Sequence, residues 1–121
     1  MLLLSRLIVV VLICLMGAMP LVLAGDDNAS APAADIYNKA VRYYESKNWD
    51  AAREHFHQYL AEYSETPLYI TCLYYLAYCY QQLKDKQEAI SIYHKVIDQA
   101  KDEEIFWAQM AERRINELGL R

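Results

Sequence analysis

The chain has 121 residues, of which 12 are lysine or arginine and 16 are aspartate or glutamate, so its net charge is −4. This length allows one small domain. The acidic balance disfavours binding to phosphate backbones or to anionic membrane surfaces, so a nucleic-acid-binding protein is not expected.

The first 24 residues have the pattern of a secretory signal peptide. Arg6 is their only charged residue, Leu7 to Met16 is an unbroken apolar run, and residues 22–24 are Val-Leu-Ala. This order predicts a signal peptide over residues 1–24, cleaved after Ala24. The alternative is an uncleaved membrane anchor, because the largely apolar residues 7–24 approach the roughly 20 residues that span a bilayer.

Cleavage after Ala24 would leave 11 basic and 16 acidic residues, a net charge of −5. Residues 25–33 are small, polar and aperiodic, which is typical of a flexible leader. The folded domain is therefore predicted to span residues 34–121.

Three cysteines are present. Cys14 lies in the predicted signal, where the bulky residues before it disfavour lipid attachment. Cys72 and Cys79 lie seven residues apart on one predicted helix, which separates their Cα atoms by roughly 10 Å. A disulfide needs about 4.4–6.8 Å, so the spacing predicts two buried thiols, with an intermolecular disulfide as the alternative.

Five helices are predicted after the leader, because apolar residues recur at helical spacing and no segment alternates as a strand does. Polar residues at the expected starts of the second to fifth helices act as caps or favour the N-terminal dipole. These start residues are Asn48, Thr66 before Pro67, Asp85 with Glu88, and Asp102 with Glu103 and Glu104. The predicted helices span residues 32–46, 49–63, 67–83, 86–100 and about 103–118, the last ending before Gly119.

Each predicted helix carries an apolar stripe that is expected to face the core. The stripe of the first helix is Ile36, Ala40, Tyr43 and Tyr44, and that of the second is Ala52, Phe56, Tyr59, Leu60 and Tyr63. The third contributes Leu73, Leu76, Ala77 and Tyr80, the fourth Ala89, Ile90, Tyr93, Val96 and Ile97, and the fifth Trp107, Met110, Ala111 and Leu118.

The sequence repeats itself once at a spacing of 37 residues. Ala40-x-x-Tyr43 recurs as Ala77-x-x-Tyr80, and Ala52-x-x-x-Phe56 recurs as Ala89-x-x-x-Tyr93. A fixed period of 20 to 50 residues indicates stacked supersecondary units that bury a core only against their neighbours. The chain is therefore predicted to be a short helical repeat protein.

These motifs resemble those of the tetratricopeptide repeat family. The resemblance implies an all-α fold with two helix–turn–helix repeats, at about residues 34–67 and 68–101, and a capping helix at about 103–118. Lys39 and Tyr59 stand where the family prefers leucine and alanine, a departure that suits an edge repeat.

The segment at residues 61–67 resembles the tail of bacterial envelope members of the family. Among these are the Tol–Pal-associated periplasmic proteins and the lipoprotein of the outer-membrane assembly machine. Together with the signal peptide, this resemblance implies a periplasmic or secreted protein. The alternative location is the membrane, with residues 7–24 as the anchor.

The resemblance also implies that the first helix of each repeat lines a concave face. The lining positions would be Tyr37, Val41, Tyr44, Tyr74, Tyr75, Tyr78, Gln82, Ala108, Gln109 and Glu112. Tyrosine offers a wide, stiff contact area with a hydroxyl that can stay hydrated, which suits a groove for a peptide or helix. The alternative is that the rings pack in the interior, an interpretation that we favour for Tyr44 and Tyr75.

We therefore predict an exported adaptor or scaffold whose partner is a protein or peptide. The predicted partner-binding residues are Tyr37, Val41, Tyr74, Tyr78, Gln82, Gln109 and Glu112. The alternative function is a self-associating structural subunit or accessory module of an envelope complex, because terminal repeats need covering.

Neither a catalytic nor a metal-binding pattern is found in the sequence. Glycine occurs only at positions 17, 25 and 119, so there is no glycine-rich phosphate loop. His55 and His57 are two residues apart on one helix and point roughly 200° away from each other. His57 and His94 occupy equivalent repeat positions, but two nitrogens without a third ligand make a poor zinc site. An enzyme is not predicted, nor is any cofactor or metal.

Overall fold

The computed structural model describes residues 31–119. The predicted signal peptide and residues 25–30 of the predicted leader lie outside these described residues. Between residues 31 and 119 all regular structure is helical, which confirms the all-α prediction. The elements are α1 (residues 31–45), α2 (Trp49–Glu62), α3 (Tyr69–Gln82), α4 (Lys86–Gln99), a 3₁₀ turn (Asp102–Glu104) and α5 (Ile105–Gly119).

The turns after α1 and α3 have the same geometry 37 residues apart. Lys47 and Lys84 both adopt the left-handed backbone conformation, with φ of 61° and 67°. The next residues, Asn48 and Asp85, donate their backbone N–H groups five residues back, to the carbonyls of Tyr43 and Tyr80, at 2.9 Å in each turn. This pairing ends a helix and satisfies its last carbonyls. The sequence period is therefore a period of the backbone.

Asn48 and Asp85 also cap the helices that follow. Their side-chain oxygens accept from the backbone N–H groups of Ala51, at 3.4 Å, and Glu88, at 3.3 Å. Each cap satisfies one N–H group that the helix itself leaves unpaired. Both cap predictions are confirmed.

Fully buried alanines mark the places where neighbouring helices approach closely. Alanine has no side chain beyond Cβ, so the backbones can come together and the large neighbouring rings fill the remaining space. Four of the five alanines belong to the 37-residue match, so the repeat preserves the close approach. The fully buried alanines are Ala40, Ala52, Ala77, Ala89 and Ala111.

Two predicted helix starts are corrected. The side chain of Thr66 does not cap α3, because its hydroxyl donates to the carbonyl of Tyr63 at 3.2 Å and pairs with the hydroxyl of Tyr59 at 2.7 Å. Its carbonyl accepts from Tyr69 N–H at 3.1 Å, so a turn precedes the helix. The segment from Asp102 first forms a 3₁₀ turn, in which Lys101 N–H donates to the carboxylate of Glu104 at 3.1 Å.

Helix α1 includes residues 31–33 of the predicted leader. The compact unit that contains the helix contacts begins at Asp35.

Helix α3 is the centre of the domain. It packs against α2 on one side and α4 on another, and it also touches α5. Because it is enclosed by three helices, its buried residues extend beyond the single predicted stripe. They are Ile70, Cys72, Leu73, Tyr74, Leu76, Ala77 and Cys79.

The two cysteines of α3 are free thiols with no exposed surface, as predicted. Burial raises the pKa of both Cys72 and Cys79 to about 12, because a thiolate in this interior would lose its hydration. Both side chains therefore act as small apolar groups in the core.

Two of the tyrosines that the repeat pattern placed inward lie at the surface of the helices. Tyr43 is 37% exposed and packs on the ring of His55, so its assignment to the core is corrected. Its equivalent, Tyr80, is partly covered by α2 and hydrogen-bonds to Nε2 of His57 at 2.7 Å. The difference arises because α2 precedes α3 and covers Tyr80, whereas no described helix precedes α1.

Between residues 31 and 119, no helix has the length and apolar character needed to cross a membrane. The same part of the chain contains no group of three or more histidine, cysteine, aspartate or glutamate residues that could hold a metal ion.

Candidate functional site: a tyrosine face on the first helices of the repeats

Partly exposed tyrosines of α1 and α3 form one continuous surface, which α5 borders with an arginine. We call this surface the tyrosine face. It consists of Tyr37, Tyr44, Tyr75, Tyr78 and Arg114, all of intermediate exposure. The rings of α1 and those of α3 are neighbours in space but lie at least 31 residues apart in the chain.

Tyr78 lies in the middle of the tyrosine face. Its ring centroid is 5.6 Å from that of Tyr44 and 5.7 Å from that of Trp49. The guanidinium carbon of Arg114 lies 5.2 Å from the same ring centroid. This separation is within the roughly 6 Å at which a cation is attracted to an aromatic ring. Tyr78 therefore packs on two rings and a guanidinium group and still keeps part of its surface open.

Tyr75 connects the rings of α1 to those of α5. Its centroid lies 4.8 Å from that of Tyr44, 5.7 Å from that of Phe56 and 5.7 Å from that of Trp107. The sequence favours an interior position for Tyr44 and Tyr75. Both rings indeed pack on several others, but both also keep exposed surface, so they contribute to packing and to the face together.

The prediction that Tyr74 offers surface to a partner is corrected. This residue is only 4% exposed, and its ring lies 5.2 Å from that of Trp107 and 5.5 Å from that of Tyr93. The reason is its position on the side of α3 that α4 and α5 cover. Tyr74 is a buried residue that contacts the tyrosine face: its hydroxyl accepts a hydrogen bond from Nε of Arg114 at 3.3 Å.

Arg114 is a residue of the site that the sequence reasoning missed. Three contacts hold it: the hydrogen bond to Tyr74, the ring of Tyr78, and an ion pair with Glu117 at 3.1 Å. The hydrogen bond to Tyr74 raises its pKa further, so it stays charged. Its spacing of seven residues from Trp107 puts both on one side of α5 and could have revealed it.

Gln109 and Glu112 lie elsewhere on α5. At 3.6 residues per turn, they lie roughly 140–200° around the helix from Trp107, the residue that contacts the rings of α3. Both are exposed. The polar side chain that α5 brings to the tyrosine face is therefore Arg114, in place of these two predicted residues.

The remaining predicted residues, Tyr37, Val41 and Gln82, are each partly exposed. Tyr37 packs edge-on against Tyr59 of α2, with ring centroids 6.0 Å apart. Tyr37 and Val41 lie one helical turn apart, and Tyr44 follows at the next turn, so the three share one side of α1. Gln82 lies one turn beyond Tyr78 on α3. Partner binding by all of these residues stays a prediction.

Three hydroxyl groups of the tyrosine face, those of Tyr37, Tyr44 and Tyr75, stay protonated at neutral pH. Partial burial raises the pKa of Tyr37, Tyr44 and Tyr75, and neighbouring tyrosines raise it further. Each hydroxyl can therefore donate a hydrogen bond as well as accept one. The face combines broad apolar rings, hydrogen-bonding groups and one fixed positive charge, which is the composition of a protein-binding surface.

A family model described as "Tetratricopeptide repeat" matches residues 31–102. This match covers α1 to α4 and therefore both helix pairs of the 37-residue repeat. No curated protein matches the chain.

Proposed function

The chain belongs to the tetratricopeptide repeat family, whose repeats mediate protein–protein interaction, and we propose that it is an adaptor that binds its partner on the tyrosine face. The observation that carries this proposal is the set of partly exposed rings on α1 and α3, with Arg114 beside Tyr78. Tyrosine, tryptophan and arginine are the residues that most often dominate binding energy at interfaces.

The arrangement suits a short peptide or a helix of another protein. The rings are already fixed by their contacts with one another, so little side-chain entropy is lost when a partner binds. Apolar side chains of the partner would cover Tyr44, Tyr75 and Tyr78, and an oxygen of the partner could accept a hydrogen bond from Arg114. No enzymatic activity is part of the proposal.

We also propose that the protein is exported and works in the bacterial envelope. The support is the order of charge, apolar run and small residues over residues 1–24 and the resemblance of the segment at residues 61–67 to envelope members of the family. Expression of the full chain followed by fractionation and mass spectrometry of its N-terminus tests this. A mature N-terminus at Gly25 is expected, and an intact N-terminus in the cytoplasmic fraction would contradict export.

Site-specific photocrosslinking in intact cells tests the binding site. A photoreactive amino acid at Val41 or at Tyr78 is expected to capture the same partner, because α1 and α3 both contribute to the face. The same group at Tyr43 is the matched control, since Tyr43 is exposed but packs on α2 instead. Capture of that partner equally well from Tyr43 would refute the assignment of the face.

Binding measurements then test the role of the central ring. Tyr78→Ala is expected to weaken binding of the captured partner, with a dissociation constant about 30-fold higher. This change corresponds to about 2 kcal/mol, the value of an interface hot spot. Tyr43→Ala should leave the affinity unchanged. An unchanged affinity in a folded Tyr78→Ala variant would place the interface elsewhere.

A self-associating subunit is the second candidate function, because Ile105 and Phe106 on α5 are each 58% exposed. Large apolar side chains exposed side by side on the last helix could be covered by a second copy. Sedimentation across a concentration series decides this. A dimer that Phe106→Ser dissociates would support self-association, and a monomer at all concentrations would exclude it.

A further inference from the structure

A cleft lies on a different part of the surface, between the loop that joins α2 to α3 and the segment that joins α4 to α5. We call it the loop cleft. Its volume is about 650 Å³. Its walls are formed by residues 64–67 and 69–71 and by Gln99, Lys101, Glu103, Glu104 and Trp107. This volume falls within the range of about 300–1,000 Å³ that is typical of ligand sites. The loop cleft can thus hold a few side chains of a partner.

The charges of the loop cleft are mostly negative. Glu65, Glu103 and Glu104 line it, with Lys101 as the single basic residue. In the part of the chain that the structure describes, none of these four side chains takes part in an ion pair. The excess of carboxylates would therefore favour a positively charged group.

The loop cleft also has apolar side chains beside these charges. Pro67, Ile70 and Trp107 line the loop cleft, and the ring of exposed Phe106 lies 5.2 Å from that of Trp107. Leu68 is 37% exposed and is flanked in the chain by two lining residues. Exposed apolar side chains beside charged ones, here Leu68, Phe106 and the carboxylates, are the pattern of an interaction site.

We propose that the loop cleft binds an extended segment of a partner protein in which a lysine or arginine is flanked by apolar side chains. The basic group would lie among the carboxylates, and its apolar neighbours would cover Phe106 and Trp107. A second copy of this chain fits less well, because a symmetric contact would bring the same carboxylates of two copies together. None of the residues of the tyrosine face lines the loop cleft, so this site adds to that face.

A random hexapeptide library displayed on phage, selected on the purified full-length chain, tests the proposal. We expect enriched peptides in which lysine or arginine adjoins leucine, isoleucine, phenylalanine or tryptophan. The dissociation constant of the best synthetic peptide should increase about tenfold in Glu65→Lys/Glu103→Lys, because two attractive contacts become repulsive. It should also increase with salt, which screens exposed charges.

Two variants serve as controls. Glu54→Lys/Glu112→Lys makes the same change in net charge at exposed positions outside the loop cleft and should bind the peptide as the wild type does. Tyr78→Ala should also retain the peptide, which separates this site from the tyrosine face. Circular dichroism establishes that each variant keeps its helices. Glu104 is left unchanged, because its carboxylate accepts from the backbone N–H of Lys101.

Several results would overturn the proposal. Enrichment of acidic or uncharged peptides, or no enrichment over the unselected library, would remove the proposed ligand chemistry. Equal weakening in Glu54→Lys/Glu112→Lys would show a nonspecific charge effect. Loss of the peptide in folded Tyr78→Ala would assign it to the tyrosine face. A dimer that Phe106→Ser dissociates would make a second copy the occupant.

Discussion

Truncation of Tyr74 should destabilise the fold, whereas truncation of an exposed tyrosine should not. The Tyr74 ring is 4% exposed and packs on the rings of Trp107 and Tyr93. Tyr74→Ala removes this buried ring and leaves a cavity, which costs about 3–5 kcal/mol for a large aromatic side chain. It also removes the hydroxyl that accepts a hydrogen bond from Arg114. For a domain with a total stability of about 5–15 kcal/mol, this loss is a large fraction.

Urea unfolding followed by far-ultraviolet circular dichroism measures the effect. The urea concentration at the midpoint of unfolding should fall strongly. In thermal unfolding, Tm should decrease by about 12 °C or more, since 1 kcal/mol corresponds to about 4–8 °C in a domain of this size. Tyr74→Phe keeps the ring and should cost only about 0.5–1.5 kcal/mol, the value of the hydrogen bond. Tyr43→Ala is the exposed control. If Tyr74→Ala were no less stable than Tyr43→Ala, the ring would not be in the core and our assignment of the tyrosine face would fail.

Three further predictions concern stability and thiol reactivity. Partial burial and the nearby positive charge of Arg53 lower the pKa of His57 below its usual value of about 6.5. Its contribution to stability is therefore present above about pH 6.5 and is lost as pH falls through the lowered value. Unfolding midpoints at about pH 7.5 and 5.5 should differ more for the wild type than for His57→Gln, and equal differences would contradict this. Asp85→Ala should destabilise the protein by about 1 kcal/mol in urea unfolding through loss of the α4 cap, whereas Asp98→Ala, at an exposed position of α4 that makes no cap, should have little effect. A thiol reagent at about pH 8 should modify Cys72 and Cys79 only after denaturation, because their pKa is about 12 and both are fully buried; labelling of the native protein within minutes would show that α3 opens readily.

The helices and their caps could be predicted because they depend on residues close in the chain. Asn48 and Asp85 contact backbone groups three residues ahead, so the cap signal is local. The buried alanines followed from the 37-residue match, since both repeats need the same close helix approach. Thr66 was mispredicted as a cap because its hydroxyl had another partner available, the hydroxyl of Tyr59 seven residues earlier.

The composition of the site was less predictable. Repeat positions predicted that α1 and α3 line the binding surface, and Tyr37, Tyr44, Tyr75 and Tyr78 of these helices are partly exposed. They could not show that Tyr74 lies under α5, or that Arg114 reaches Tyr74 from 40 residues away. Both facts depend on how α5 rotates and docks against α3, which a period of 37 residues does not specify.

The sequence by itself determined the number of α-helices, the caps at Asn48 and Asp85, and the repeated alanines at which the helices cross. These features arise from backbone hydrogen bonding and side-chain spacing within a few residues. The tertiary structure decided which tyrosines remain exposed, because exposure depends on the neighbours that each side of a helix meets. Helix α3 is enclosed by α2, α4 and α5, so Tyr74 became part of the core while Tyr75 and Tyr78 kept open surface.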